Sequence, residues 1–571
     1  MRTHYPRTRH LPWSPGATPD DLRTTDLAGL RGREVVVTEK LDGENTTLYA
    51  DGLHARSLDS AHHPSRAWVK ALQGRIGHTI PAGWRVCGEN MYARHSLAYD
   101  SLDSYFYGFS VWDAHGRCLD WDRTTAFLRG AGVPVPRVLW RGTFDERALR
   151  ALALDPERQE GYVVRTADGF AAEEFGLRVA KWVRPGHVRT DTHWMHSAVV
   201  PNGLGPNAPL WAVRSGAPAD TEALTGLFGG DEPTGADPVT DPAPGSATGP
   251  ATGPGPAAVG RLDAGGLLGD ERLEAVLAAL FHRARRAALG PRLAPVLGLP
   301  RARRIADLVG LHPALHRPHP DEDRRAGLLR MGRAVGTDAL HAVALATAVT
   351  GEAREQVEWS ALHAAEAHPL TGLDEVFADL SPEAAARCRA EALAAHADGR
   401  IRTAEEAVAA TWRWRDGDFP RLVQTVGPAG SGKSTFARGL PGVDAYVSLD
   451  ELRQARGSRA DQQANADVLR EALGRLDEAL AAGGTVVWDA TSLNRRQRSL
   501  VRRSADRRGA LVTHAVLLVG EEELHRRNAV REHPVPPRVL SDQLRRFGPP
   551  YPGEAHRTWY IGASGTVEEE V

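Results

Sequence analysis

Residues 421–440 read RLVQTVGPAGSGKSTFARGL. An apolar run, a glycine loop and a helical pattern follow one another there. The loop carries Gly427, four residues, and then Gly432-Lys433-Ser434. This is the P-loop pattern in the setting it requires, with a strand before it and a helix after it. Gly427, Gly430 and Gly432 free the backbone to wrap phosphates. Lys433 offers a point charge to the β and γ phosphates, and Ser434, followed by Thr435, offers a hydroxyl to Mg2+. The stretch predicts a nucleotide-binding α/β domain and says nothing of the acceptor.

Working outward, DAYVSLD, TVVWDAT and LVTHAVLLV are apolar runs that alternate with helical patterns, which predicts a parallel sheet. Ligands of such sheets sit at the carboxyl ends of the strands, so Asp450 in VSLDELR and Asp489 in VVWDATSLN should face the phosphates. LHRRNAVRE spaces Arg527 and Arg531 four apart on one helix face, suited to clamp a phosphoryl group. The series P-loop, D-x-x-R, D-x-T-x-L-N and R-N-x-x-R resembles the 5′-polynucleotide kinases of the phage type. That resemblance implies Asp450 as general base for a 5′-OH, Arg453 on the acceptor phosphate, and Arg527 and Arg531 as lid arginines. Small-molecule and toxin-type kinases share the P-loop and a catalytic Asp, so a kinase of a small molecule or protein stays open as the alternative. The arginine-dense run NRRQRSLVRRSADRR at 494–508 reads as a solvated helix face and weakly favours a polyanionic acceptor.

Upstream, the 571 residues divide by composition. Residues 229–260 are rich in Pro, Gly, Ala and Thr without apolar periodicity, and read as a disordered linker. Residues 1–228 hold strand-like segments (EVVVTEK, TTLYA, WRVCGEN, SYFYGFSVWD, EGYVVRT) and a helical pattern near 122–131, predicting an α+β domain with antiparallel sheets. Residues 261–410 are helical in pattern, predicting an all-α bundle, and 415–571 form the P-loop domain. The net charge of −2 does not announce a nucleic-acid binder. Three scattered cysteines form neither a disulfide framework nor a metal pairing. With no membrane-length apolar run and no secretory signal, the expected compartment is the cytoplasm.

Only Lys40, Lys70, Lys181 and Lys433 are lysines among the 70 basic residues, the other 66 being arginines. A lysine that survives such a bias marks a position where arginine fails, because a lysine amine can be deprotonated and act as a nucleophile. Lys40 sits in VVVTEKLDGEN, which contributes Glu39, Asp42, Gly43 and Asn45 around it. Arg56 in ARSLDS, Glu89 in CGENMYARHSLAY, Phe109 in SYFYGFSVWD, Glu160 in EGYVVR and Lys181 in LRVAKWVRP follow in order. The series resembles the ATP-dependent RNA ligases, and the phage RNA ligase 2 family in particular. The resemblance implies that Lys40 attacks the α-phosphorus of ATP to leave a lysyl-AMP, helped by Mg2+ or Mn2+. It implies that Phe109 stacks on the adenine and that Glu89 and Glu160 hold ribose or metal; Lys181 is the candidate cationic neighbour that eases loss of the Lys40 proton. The phage family has two lysines one residue apart in that last motif; here Arg178 and Arg184 are the nearby cations. Lys70 has no assigned role.

The two resemblances imply RNA ends as partners (5′-OH, 5′-phosphate and 3′-OH) and a separate 3′-end phosphatase elsewhere. The helical block would suit an HD-type phosphohydrolase, but ALFHRARR follows His282 with Arg283 rather than Asp, so a degenerate HD-like bundle is expected. The cluster LHPALHRPHPDED, with His312, His316, His319, Asp321 and Asp323, reads as a polar loop. The rival reading makes the N-terminal block a non-catalytic, nucleotide-binding RNA sensor. Lys40, Glu89, Glu160 and Lys181 together speak against it, since a sensor has no need of a nucleophile.

Overall fold

The computed structural model describes residues 2–58, 63–155, 157–186, 199–229, 255–262, 265–456 and 465–571. Most of the expected linker at 229–260 lies outside them. The chain forms two compact units, Met1–Leu227 with Gly265–Leu273, and Phe228–Ala264 with Glu274–Val571.

The first unit contains two sheets. One has the strand order Arg9–His10, Val179–Val183, Gly161–Thr166, Glu34–Lys40, Val138–Thr143. The other runs Phe170–Ala171, Arg117–Cys118, Phe106–Trp112, Arg85–Asn90, Glu44–Tyr49, Gly52–Ala55. All pairings are antiparallel except that of Arg9–His10, which lies parallel to Val179–Val183. The β-branched run Val35-Val36-Val37 is fully buried, as a strand covered on both faces requires. Val35 and Val37 pack with Tyr162, Val164 and Ala180 in one core. Leu48, Val86, Phe106 and Val111 of the second sheet pack on helix Ala67–Ile76 through Val69, Leu72 and Ile76. The expected helix near 122–131 spans Trp121–Gly130, with Asp120 as its cap through a bond from the Arg123 amide at 2.7 Å.

The second unit joins a helical block to a third sheet, of order Ala445–Ser448, Thr485–Asp489, Arg421–Val426, Leu511–Leu517, Arg557–Ile561, Val567–Glu570. Its first five strands are parallel and the last turns back antiparallel. Val426, Val516, Leu518 and Tyr560 pack against Leu299, with Ala287 and Ala294 beside them, so the sheet and the helical block share a core. Arg286 is buried in this packing. Its guanidinium donates to Asp307 Oδ1 at 2.6 Å and to the Pro549 carbonyl at 2.6 Å, and lies 3.4 Å from the centre of the Tyr551 ring.

One local reading changes. Residues expected as a polar loop form a short 3-10 helix, His312–His316, and helix Asp321–Met331. Leu315 and His312 are buried there, and the inward-facing apolar positions outweigh the prolines. His282, His312 and His316 then come together, with ring centres 6.5 and 5.8 Å apart. Burial pushes His312 down to about 3, so it is neutral. Among the described residues no cluster of three metal-ligating side chains occurs.

Candidate active sites

In the first unit, a cavity of about 830 Å3 is lined from both sheets. Lys40 is the last residue of its strand, paired in register with Gly161. That pairing sets Glu160 beside it, and Lys40 Nζ donates to Glu160 Oε2 at 2.5 Å. Glu160 is 4% exposed. Gly43 follows because a side chain there would meet the Asn90 carbonyl at 2.5 Å. Glu44–Tyr49 can then pair with Arg85–Asn90, placing Asn45 opposite Glu89. The Gly43 amide donates to Glu89 Oε1 at 3.3 Å. Lys181, opposite Val163, lines the same cavity, as do Arg56 and Phe109.

The electrostatics of this site pull in opposite directions. Burial alone lowers the Lys40 pKa, but Glu160, Glu89 and Asp42 outweigh it and hold the ammonium above its usual value. Lys181 is pulled down, by burial first and by Lys40 second. The expected help from a cationic neighbour therefore falls on Lys181, while Lys40 is charged at rest. Burial raises Glu89 to about 8 against the opposing pull of Lys40.

The other predicted residues divide. Glu39, Gly43 and Asn45 line the cavity. Asp42 does not. Its carboxylate accepts from Ser96 Oγ at 2.6 Å and from the Leu97 amide at 2.9 Å, holding the following loop rather than a ligand. Arg178 is held by Glu174 at 2.6 Å. Sequence reasoning missed the buried pair of Arg66 and Glu44, both lining the cavity, with Arg66 Nε 2.8 Å from Glu44 Oε2. It also missed Arg165, whose guanidinium donates to the Leu119 carbonyl at 2.8 Å behind the aromatic end. Glu44 was legible as the neighbour of Gly43; nothing in the spacing announced Arg66.

The second unit has a cavity of about 1010 Å3 around the glycine loop. Gly430, Gly432, Lys433, Ser434, Thr435, Asp450, Arg453, Asp489, Arg527 and Arg531 all line it; Gly427 begins the loop behind. Gly430 and Gly432 have φ of 81° and 97°, a region open to glycine at little cost. The Lys433 ammonium is buried, donates to the Pro428 carbonyl at 2.7 Å, and is lowered by that burial to about 8. Asp489 ends its strand and accepts from the Tyr446 hydroxyl. Asp450 lies one residue into helix Leu449–Ala455 and is paired with Arg453 at 2.7 Å.

Arg527 and Arg531 do not share a helix face. The helix ends at Ala529, and Arg531 lies past it. Arg527 is tied to Glu523 at 2.6 Å and to the Ala563 carbonyl at 2.8 Å. In the arginine-dense run, Arg498 is buried and donates to Glu554 at 2.9 Å and to the Gly548 carbonyl at 2.9 Å, so one member of the expected solvated face belongs to the core. Before that helix, Ser492 has φ 47°, the one positive value for a non-glycine among the described residues.

The first cavity lies in an RNA-ligase-like domain of antiparallel sheets, and the second in a P-loop, kinase-like domain with a mostly parallel sheet. Residues 33–183 match the RNA ligase family model, and residues 422–550 match a family model described as an AAA domain. Among solved structures, the chain is similar to the Pnkp1/Rnl/Hen1 RNA repair complex, at 21% identity over 23% of this chain and 48% of that one, with a TM-score of 0.21. A Naegleria gruberi RNA ligase matches at 18% identity over 28% of this chain and 51% of that one, TM-score 0.22. A gluconokinase from Sinorhizobium meliloti 1021 matches at 24% identity over 26% of this chain and 86% of that one, TM-score 0.20. The match thus spans about half the length of the first two structures. No curated protein matches the sequence.

Proposed function

We propose that this chain repairs broken RNA with two consecutive activities. The second unit phosphorylates a 5′-OH end from ATP. The first unit carries AMP on Lys40, transfers it to the new 5′-phosphate, and joins that end to a 3′-OH. The observation that carries this reading is Lys40 against the buried carboxylate of Glu160, at a cavity lined by aromatic rings and by further cations.

At the first site, Lys40 Nζ must shed a proton before its lone pair can attack the α-phosphorus. Glu160 is the acceptor at hand. A P–N bond forms, the bond from the α-phosphorus to the bridging oxygen breaks, and pyrophosphate leaves. Lys181 and Arg56 stand in the same cavity to offset the phosphate charge.

The donor set fits a divalent cation that arrives with phosphate. Mg2+ is commonly held by one or two carboxylates plus substrate phosphate oxygens, so Glu89, once it gives up its proton, would hold the ion while Glu160 serves as the base. Such an ion would neutralise charge on the phosphates. At the second site, Ser434 and Asp489 would hold it, Asp450 would take the proton of the 5′-OH, and Arg453 would hold the acceptor phosphate.

Purified protein given ATP and Mg2+ should convert 5′-OH RNA to 5′-phosphate RNA and then seal it to a 3′-OH end. Lys433→Ala should abolish the first step, and Lys40→Ala the second. Wild-type protein that phosphorylates a sugar but no RNA end would contradict the kinase assignment and leave the ligase assignment standing.

A further inference from the structure

The N-terminal segment crosses the first cavity. Thr3 N donates to the Tyr49 hydroxyl at 3.0 Å, and His4 Nδ1 lies 3.0 Å from the Arg56 carbonyl, which ties one end to the six-stranded sheet. Arg9 and His10 pair with Ala180 and Lys181, which ties the other end to the five-stranded sheet. Between these anchors, the five consecutive residues His4–Thr8 all line the cavity. Tyr5 packs edge-on to Phe109 and to Phe175, with ring centres 5.2 and 5.3 Å apart. It is the one tyrosine among the lining residues, and it stands at the aromatic end, with Trp112, Phe170 and Val179 around it.

Resting on the ligase reading above, we propose that this strap is part of the nucleotide site and that Tyr5 is a base-selecting residue for the purine of the nucleoside triphosphate. Phe109 offers a flat face to a base, but one aromatic face does not distinguish one purine from another. Tyr5 abuts that face and fixes how far the base can slide across it. Its hydroxyl is hydrogen-bonded to Ser110 and lies near Cys87, Cys118 and Arg165, so the ring is held in place at a polar corner of the wall. Burial there raises the phenol pKa well above its usual value, and the hydroxyl keeps its proton as a donor. A base whose edge does not fit against this fixed ring loses contact with it, so the placement of the ring discriminates between bases. The strap also reaches His10, the register partner of Lys181, so only four residues of chain separate Tyr5 from the position beside Lys181.

The test is labelling of Lys40 by ATP and by GTP across a concentration series, for wild type, Tyr5→Phe, Tyr5→Leu and Tyr49→Phe. Leucine keeps apolar volume, and Tyr49 does not line the cavity, so the strap can be altered without emptying it. For Tyr5→Leu the KM for ATP should rise at least tenfold, with a smaller change in kcat, and the preference between ATP and GTP should shrink. Tyr5→Phe should keep most of the affinity and lose much of the preference. Tyr49→Phe, which frees one anchor, should raise the KM for ATP several-fold. Variants with wild-type KM and preference would overturn the proposal while leaving Lys40 adenylation intact. No labelling of wild type by either nucleotide would overturn it together with the ligase reading.

Discussion

Lys40 poses a conflict between its chemistry and its resting state. A nucleophile must be neutral, yet Glu160 holds this amine charged above its usual pKa. The same geometry contains the resolution, because the group that stabilises the charge is also placed to take the proton. Glu160→Gln keeps the size and removes the base, so lysyl-AMP formation should fall by about a hundredfold or more while ATP still binds. An unchanged rate would assign Glu160 a structural role. Glu89 carries a second prediction. It ionises near 4.5 in an exposed chain and near 8 in the fold, so folding takes up a proton between these values. Its contribution to stability is therefore full below about 4.5 and lost as pH rises through about 8. Glu89→Gln should gain in Tm relative to wild type progressively from pH 5 to pH 8; equal gains at both pH values would contradict this. The expectation that Lys40, Glu89, Phe109 and Lys181 belong together came from their residue types and order, and the four do line one cavity. Arg66 was not legible in the sequence, since its role depends on a contact with Glu44 across 22 residues. Asp42, expected at the nucleotide, lies outside the cavity lining and accepts bonds from Ser96 and Leu97, contacts that its spacing did not announce.

The strands read from apolar runs, such as Glu34–Lys40 and Gly161–Thr166, fall where expected, because a buried run such as Val35–Val37 leaves few alternatives. Val138–Thr143, Val179–Val183 and Arg557–Ile561 were not read as strands. Helix ends were harder. The helix Glu521–Ala529 stops before Arg531, and spacing alone put both arginines on one face. Strand Arg9–His10, two residues long, carried no periodic signal. The loop after Asp489 shows how an element is aimed. Ser492 sits at φ 47°, its hydroxyl accepts from Gln424 Nε2 at 3.2 Å, and Arg498 donates to its carbonyl at 3.3 Å. Such a conformation costs about 1 kcal/mol for a residue with a side chain and persists where the surroundings over-determine it. Ser492→Gly should therefore change stability little, with relief of strain offset by the lost bond, while kinase kcat/KM falls severalfold as the loop loosens. A fully active variant would mean that the strain has no part in placing Asp489.

At the scale of the molecule, the helical block and the kinase-like sheet share buried polar contacts as well as a core. Arg286 binds Asp307 within the helical block and the Pro549 and Pro550 carbonyls beyond it, and Arg303 pairs with Glu569 of the last strand at 2.7 Å. Breaking a buried pair by removing one partner costs about 3 kcal/mol or more. Arg286→Ala should lower the kinase melting transition by several degrees, and residues 415–571 expressed alone should melt lower than the same residues within the full chain. A stable isolated fragment would show that the helical block is dispensable to the fold. Composition made this block legible as helical, but it could not show the block sharing a core with the sheet. The central claim, that Lys40 is a catalytic nucleophile, is tested most directly by incubating the full chain with α-labelled ATP and Mg2+ and resolving it on a denaturing gel, with Lys40→Ala beside it. A labelled protein band in wild type that is absent in the variant is the expected result; a band of equal strength in both, or none in either, would contradict it.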